Sequence, residues 1–254
     1  MPNRRGRILN DASADPHYGL ALDHALLLLN PRSDYLATIR FWINSSSVIL
    51  GRGQTLSNEV NQIFCRDHQI PIARRITGGG TVYHDEGNLN ISLLFPRSII
   101  ENPNNIRETT SLFTSLLKKS LEASDMNEIS IDDSNNLFYQ GSKVSGAASY
   151  FSRDTVLHHS TLLLSTNLYR LEASLIHHKE PLRGRSKYTA TTNLPGLQTE
   201  IWKTTYTKLL EKSFNMQFQP GIITTEEEIL ATKLAETMYR MPSWINDGEK
   251  PIEA

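Results

Sequence analysis

The residues best suited to chemistry lie between positions 74 and 90 and around position 143. Arg74-Arg75-Ile76 runs into Thr77-Gly78-Gly79-Gly80-Thr81-Val82-Tyr83-His84-Asp85. Consecutive glycines let a backbone approach a ligand closely, and their N–H groups can face an anion. Two arginines directly before them add fixed charge and forked donors that suit phosphate or carboxylate. A bare triple glycine is simply a flexible turn. The flanking Arg-Arg and the following Tyr-His-Asp-x-Gly-Asn shift the reading to an anion site. No Gly-Lys-Ser/Thr follows, so this is not a Walker loop. Lys143, between Gly141-Ser142 and Val144-Ser145-Gly146-Ala147-Ala148, can hold a phosphate or polarise an acyl carbonyl as charge builds there. Most lysines are only solvated. The small residues after this one would let a substrate lie against the chain.

Other reactive residue types carry less. His158 and His159 are adjacent in an apolar strand, so they point to opposite faces and cannot chelate one metal together. His158 reads as a packed or hydrogen-bonded histidine, while His159 approaches the site. His177-His178 reads as a solvated cap at a helix end. No histidine or carboxylate spacing makes a zinc site, and no residue is assigned to a metal. Cys65, the one cysteine, reads as a buried structural thiol and excludes an internal disulfide.

The elements that must position these groups follow from periodicity. Helices are predicted at 20–29, at about 58–68 (capped by Ser57, with Val60, Ile63 and Phe64 on one face), around Leu112 to Leu121, at about 168–178, at 199–213 and at 225–240. Strands are predicted at 36–43, 47–50, 70–75 and 81–84. In 88–95, Leu89, Ile91, Leu93 and Phe95 take one face and Asn88, Asn90 and Ser92 the other, which suits an antiparallel sheet whose polar face lines a site. Residues 137–140 and 143–151 flank Gly141-Ser142 as a two-residue hairpin, and 155–165 continues that meander. Residues 179–198 lack a hydrophobic period and read as a mobile loop. This order of hairpins and helices indicates α+β.

The chain has 254 residues, enough for one large domain with its own core. Lysine plus arginine is 26 and aspartate plus glutamate 27, giving a net charge of −1 and excluding a broad basic nucleic-acid surface. No apolar run approaches the roughly 20 residues that span a bilayer. The basic N-terminus has no apolar core behind it, so a cytoplasmic protein with no membrane or nucleic-acid partner is expected.

The motifs together resemble lipoate–protein ligases. The matching residues are Leu50-Gly51-Arg52-Gly53-Gln54, Asn58-Glu59-Val60-Asn61, Arg74 to Asn90, Lys143-Val144-Ser145-Gly146, His158-His159-x-Thr161-Leu162-Leu163, and a closing Tyr239, Trp244 and Asn246. The resemblance implies a biotin/lipoate-protein ligase-like α+β catalytic domain, a largely antiparallel mixed sheet flanked by helices and similar to class II aminoacyl-tRNA synthetases. It implies that lipoate or octanoate reacts with ATP, accompanied by Mg2+, to give an acyl-adenylate. A lysine of a lipoyl-carrier protein then takes the acyl group. That carrier would be a glycine-cleavage H protein, a 2-oxoacid dehydrogenase E2 lipoyl domain or a lipoate-binding protein. By motif, Arg75, Gly78, Gly79, Gly80, Thr81, Val82, Tyr83, Asp85 and Asn88 would bind nucleotide or lipoyl-adenylate. Lys143 would be catalytic, touching both phosphate and acyl carbonyl. Segment 179–198 would fold over the adenylate. Strand 89–95 is expected to wall the acyl tunnel.

The sequence departs from the pattern in places. It stops soon after Trp244, so residues 1–254 are expected to be one catalytic domain without the small C-terminal domain of many members. A separate accessory chain is then a candidate partner, and family analogy favours a monomer. Asn135-Asn136 stands where the family favours Asn-Asp, and Glu86 replaces an apolar residue. The main alternative is an ATP-independent octanoyl or lipoyl transferase between carrier proteins, whose cysteine-dependent branches Cys65 does not fit. Biotin ligase lacks its Gly-Arg-x-Trp here. A non-catalytic acyl- or carrier-binding remnant is the third reading.

Overall fold

The computed structural model describes residues 4–177 and 188–249. Its largest sheet contains β1 (Arg5–Ser13), β2 (Ala37–Asn44), β6 (Asn88–Pro96), β10 (Ala147–Phe151), β11 (Thr155–Leu163) and β12 (Gln217–Pro220), in the order β10-β11-β6-β2-β1-β12. The β10-β11, β11-β6 and β6-β2 joints are antiparallel; the β2-β1 and β1-β12 joints are parallel. A second sheet pairs β3 (Ser47–Leu50) with β4 (Ile72–Arg74) and β5 (Val82–His84), and a third joins β7 (Ile129–Ile131), β8 (Leu137–Tyr139) and β9 (Ser142–Ser145). The helices are α1 (Pro16–Leu29), α2 (Leu56–Glu59), α3 (Gln62–Asp67), α4 (Ile106–Glu122), α5 (Leu168–Ser174), α6 (Thr199–Phe214), α7 (Thr225–Leu234) and α8 (Pro242–Asp247), with a π turn Ala235–Tyr239 extending α7.

The alternation read in β6 sorts the core. Leu89, Ile91, Leu93 and Phe95 pack with Phe113 and Leu117 of α4 and Trp202, Tyr206 and Leu210 of α6. The other face carries Asn88, Asn90, Ser92 and Leu94, all buried. Leu94 packs with Leu20, Leu22 and Leu26 of α1. The apolar face of β6 is therefore core, and it does not wall a tunnel as expected.

Several local expectations change. β1 and β12 escaped the sequence reading. β1 is Arg-Gly-Arg-Ile-Leu-Asn-Asp-Ala-Ser, whose buried Arg7 is an ion pair with Glu227 of α7, and β12 is a polar edge strand ending at Pro220. The helix predicted over 58–68 is two helices. Val60 is extended (φ −121°, ψ 127°) and bridges Leu175, and Asn61 rather than a serine caps α3 by accepting from Phe64 N–H. Ile63, expected to be buried, is 65% exposed. The meander over 137–165 divides at Gly146, leaving β9 in the third sheet and β10 in the first. Its turn residues are Gln140 and Gly141, both at positive φ (49° and 81°), the geometry of a type I′ hairpin. Among the described residues no helix is long and apolar enough to cross a membrane.

Candidate active site

The three sheets enclose a cavity of about 580 Å³. Its floor is the polar face of the large sheet. Trp42, Asn90 and Thr161 are cross-strand neighbours there, and the next rung is Arg40, Ser92, His159 and Ala148. Its roof is the second sheet with the glycine loop: Ile49, Arg75, Gly79, Gly80, Thr81, Val82, Tyr83 and His84. The lining also includes Asp132, Asn136 and Lys143 around the third sheet, and Glu59 with Leu171, Glu172, Leu175, Ile176 and His177 on and after α5. Leu20, Trp42, Ile49 and Val82 make a continuous apolar stretch of the lining, shared with the cluster under α1.

Arg75 shapes the glycine loop. Its Nη2 donates to the carbonyls of Gly78 and Gly80, both at 2.7 Å, Nη1 to Ile49 O at 3.1 Å, and Nε to Thr77 Oγ1 at 2.9 Å. Each captured carbonyl turns the N–H of the next residue the other way, because the peptide is trans and planar. Gly79 sits at φ +87°, a region that strains a side chain. A Cβ on Gly51 would stand 2.0 Å from Gly79 O, so the two glycine segments touch backbone to backbone. Burial lowers the Arg75 pKa to about 10, which leaves it cationic at neutral pH.

Lys143 reaches the cavity from β9. Gly146 makes room for it: a Cβ there would lie 3.2 Å from Nζ. Burial, reinforced by the Arg75 charge, pulls its pKa down to about 8, and Asp132 opposes that shift. Such an ammonium is under-compensated and gains from an arriving anion. Its backbone is pinned on both sides, N–H to Ala190 O at 2.8 Å and carbonyl to Thr192 N–H at 3.0 Å.

Arg75, Gly79, Gly80, Thr81, Val82, Tyr83 and Lys143 thus meet at one cavity. Gly78, Asp85 and Asn88, expected beside them, do not line it. Gly78 contributes its carbonyl to Arg75. Asp85 is a buried brace, accepting from Gly87 N–H at 3.0 Å and Asn167 N–H at 2.8 Å, so it joins the turn before β6 to the start of α5. Asn88 spends its amide on Asn90 Oδ1 at 3.0 Å. His158 is structural, as read: buried on the far face, its Nδ1 is 2.9 Å from Ser149 Oγ, and burial lowers its pKa to about 3. His177 follows α5, is 2.9 Å from Glu172 Oε2 and lines the cavity, which the reading as a cap missed. His178 and residues 179–187 of the segment 179–198 lie outside the described residues. Cys65 is buried, burial pushes its thiol pKa up, and it does not line the cavity.

Sequence reasoning did not assign Asp132, His84, Glu59 or Trp42 to the site. Asp132 accepts from the N–H groups of Ser134 (2.9 Å) and Asn136 (2.8 Å) and from Asn136 Nδ2 (2.9 Å). Its signal was a carboxylate four residues before the position where one was sought.

A mixed sheet under a glycine loop brings an arginine and a lysine to one cavity whose lining is part apolar and part polar. Residues 15–199 match the lipoyl protein ligase A/B catalytic domain, and the chain belongs to that family. It is 33% identical over 214 residues to a putative lipoate-protein ligase A of Aeropyrum pernix (81% of this chain, 77% of the relative). It is 33% identical over 201 residues to the human mitochondrial lipoyl amidotransferase LIPT1 (76% of this chain, 49% of the relative). Among solved structures, a lipoate-protein ligase A bound with ATP superposes with TM-score 0.82 at 24% identity, covering 96% of this chain and all (100%) of that one. The Thermoplasma acidophilum bipartite ligase, determined with its E2 lipoyl domain, superposes with TM-score 0.80 at 24% identity over 99% of this chain and 100% of that one. These likenesses establish the α+β fold of the lipoate ligases.

Proposed function

We propose that this chain is an ATP-dependent lipoate–protein ligase, activating lipoate or octanoate and passing the acyl group to a lysine of a lipoyl-carrier domain. The observation that carries the reading is the meeting of Lys143 with the Arg75-organised glycine loop in one cavity that also has an apolar stretch. The acyl tail would run along Leu20, Trp42, Ile49 and Val82. A carboxylate oxygen of the acid attacks the α-phosphorus, the bond to the β-phosphate breaks, and pyrophosphate leaves. The carrier amine then attacks the acyl carbonyl and loses a proton, and the C–O bond to AMP breaks. Both steps pass through concentrated negative charge, first on the phosphoryl oxygens and then on the acyl oxygen. Preorganised donors lower such barriers most. Lys143 and Arg75 supply the fixed charge. Gly79, Gly80 and Thr81 supply backbone close enough to accept the phosphates.

Magnesium accompanies ATP phosphates and commonly takes one or two protein carboxylates. Asp132, beside Lys143, fits that requirement. Asn136 supplies no negative charge, and its Nδ2 donates to Asp132, which holds that carboxylate in place. A separate accessory chain is retained as a partner in this reading, since the bipartite Thermoplasma ligase has this fold.

A second reading, carrier-to-carrier transfer without ATP, draws on Asn136 standing where the resemblance calls for a carboxylate and on the similarity to human LIPT1. Mass spectrometry of an apo lipoyl domain incubated with this chain, Mg2+ and lipoate separates the two. An ATP-dependent gain of one lipoyl group with AMP release is expected. Transfer only from an already acylated carrier would replace the ligase reading with the second one.

Lys143→Met sharpens the test. It is expected to lose at least about 100-fold in adenylate formation, the usual effect of removing one charge-stabilising donor. At the same time it is expected to raise ligand-free stability by about 1 kcal/mol or more in urea unfolding, because a poorly compensated ammonium is removed. Retained adenylate formation would remove Lys143 from the mechanism.

A further inference from the structure

Behind the glycine loop, a line of hydrogen-bonding groups runs from α1 to Arg75. Asp23 is buried. Its Oδ1 accepts from Arg40 Nη1 at 2.6 Å, its Oδ2 accepts from Ser92 Oγ at 2.6 Å, and His159 Nδ1 stands 3.7 Å from that same Oδ2. The other imidazole nitrogen, Nε2, is 2.6 Å from Thr77 Oγ1. Arg75 Nε, 2.9 Å from that hydroxyl oxygen, can only donate.

We propose that His159 is a positioning residue for Arg75: as the neutral Nδ1–H tautomer it accepts the Thr77 hydroxyl hydrogen, which aims a Thr77 lone pair at Arg75 and fixes the guanidinium against the glycine loop. Both ends of the ring select this tautomer. The opposite one would direct the Nδ1 lone pair at a carboxylate. It would also aim Nε2–H at an oxygen that already receives Arg75, leaving the Thr77 hydrogen without its acceptor. Thr77 is fully buried, so an unpaired hydroxyl there is costly. The guanidinium that Thr77 orients is the one that holds the Gly78 and Gly80 carbonyls. Its plane therefore sets the shape of the anion cradle. The inference rests on the proposed function only in taking that cradle to hold the phosphate of an acyl-adenylate.

A proton added to His159 would convert Nε2 to a donor and displace the Thr77 hydrogen, so the site should weaken in acid. The ionisable groups around the ring are Asp23 on α1, Arg40 on β2, Arg75 after β4, His84 on β5 and His158 on its own strand. Burial holds His159 below the ordinary histidine pKa, with Asp23 pulling it up and Arg75 pushing it down. Burial pulls the His84 and His158 pKa values down to about 3, and the His159→Gln variant separates the His159 limb from any contribution of His177, the other histidine lining the cavity.

The test uses the full chain and a non-hydrolysable lipoyl-sulfamoyl-adenosine, which mimics the acyl-adenylate whether that species is made from ATP or delivered ready-made. Its binding is followed by calorimetry between about pH 7 and about pH 5, a range in which a histidine titrates and Lys143, with its pKa at about 8, stays protonated. Wild-type affinity is expected to fall by up to about tenfold per pH unit below the His159 pKa. His159→Gln keeps an acceptor and cannot titrate. It should bind within about threefold of wild type at about pH 7 and lose the acid limb. His159→Phe and Thr77→Val should each weaken binding by about tenfold to hundredfold at every pH, as expected of a misplaced guanidinium.

Imidazole nitrogen NMR shifts of ligand-free protein give a readout independent of any ligand, with Nδ1 protonated and Nε2 bare for His159. Wild-type binding by both Phe and Val variants, an acid limb surviving in His159→Gln, or the reverse tautomer would each overturn the inference. If His159→Phe fails to fold, Thr77→Val and His159→Gln still decide. Failure of ATP-driven acylation with these results intact overturns the ligase reading alone. Failure of wild type to bind the analogue overturns both.

Discussion

The back of the glycine loop and its cavity side are each organised by one of two adjacent arginines, and the two regions use the same side chain for different ends. Behind the loop, Arg74 donates to five carbonyls: Gly51, Arg52 and Gln54 in the preceding turn, and Ile245 and Asn246 in α8. Trp244 Nε1 returns a bond to Arg74 O at 2.8 Å. α8 is thereby latched to the motif, which gives the closing Trp244-x-Asn246 pattern a physical role. On the cavity side, the Arg75 guanidinium bonds, among the described residues, to Thr77, Gly78 and Gly80 of the loop it shapes and to Ile49, and it lines the cavity. A pair of arginines before glycines suggests a double phosphate clamp. The structure divides it into a fastener and a cradle.

The largest effect that would break this contrast is on stability. Arg74→Met removes five charge-assisted hydrogen bonds that tie the turn to α8, although Gly51 O keeps the Gln54 N–H, and it is expected to cost about 2–4 kcal/mol. Arg75→Met removes a buried cation that has no carboxylate beside it, so it should cost about half as much or less, yet abolish acyl-adenylate binding. Urea unfolding midpoints and calorimetry on the two variants check both halves. Equal destabilisation with retained binding in Arg75→Met would erase the distinction.

Much of the cavity side was legible because its signals are local. Three glycines, Lys143 between small residues and the alternation in β6 each constrain backbone or face within a few positions. The back of the loop was not legible, because Arg74 meets α8 about 170 residues away and nothing in the local pattern marks carbonyls as its partners. The same applies to β1, whose buried Arg7 reads as solvent-exposed until Glu227 is beside it. It applies also to Asp85, which the resemblance places among the nucleotide binders and which instead braces α5. Polar residues satisfied over long sequence distances were where pattern and structure parted.

A smaller effect sharpens the comparison through pH. His84 on the cavity side has its pKa lowered to about 3 by burial first and by Arg75 second. The unfolded chain takes up a proton there as pH falls below about 6.5, while the native state resists until about 3. Stability from the neutral imidazole is complete above that window and is lost as pH falls through it, at up to about 1.4 kcal/mol per pH unit. His158 contributes the same way from burial and the neighbouring His159. Arg75→Met should raise the His84 pKa, so that the acid loss stops at a higher pH, and Arg74→Met should leave that end point unchanged. Chemical denaturation at a series of pH values reads both end points. An unchanged end point in Arg75→Met would mean that Arg75 charge does not reach His84.

The smallest expected effect lies within the loop. At Gly78 an added Cβ meets nothing within 4 Å and φ is not positive, so Gly78→Ala should change stability by no more than about 0.5 kcal/mol. At Gly79 the φ of +87° makes an alanine cost about 1–2 kcal/mol, or forces the peptide to turn and withdraw the carbonyl that approaches Gly51. If the loop is a cradle held in one shape by Arg75, Gly79→Ala should weaken anion binding by more than its stability loss predicts, and Gly78→Ala should leave binding intact. If the glycines merely supply flexibility, the two alanines should weaken binding alike. Pyrophosphate affinity measured beside the unfolding midpoints separates these outcomes.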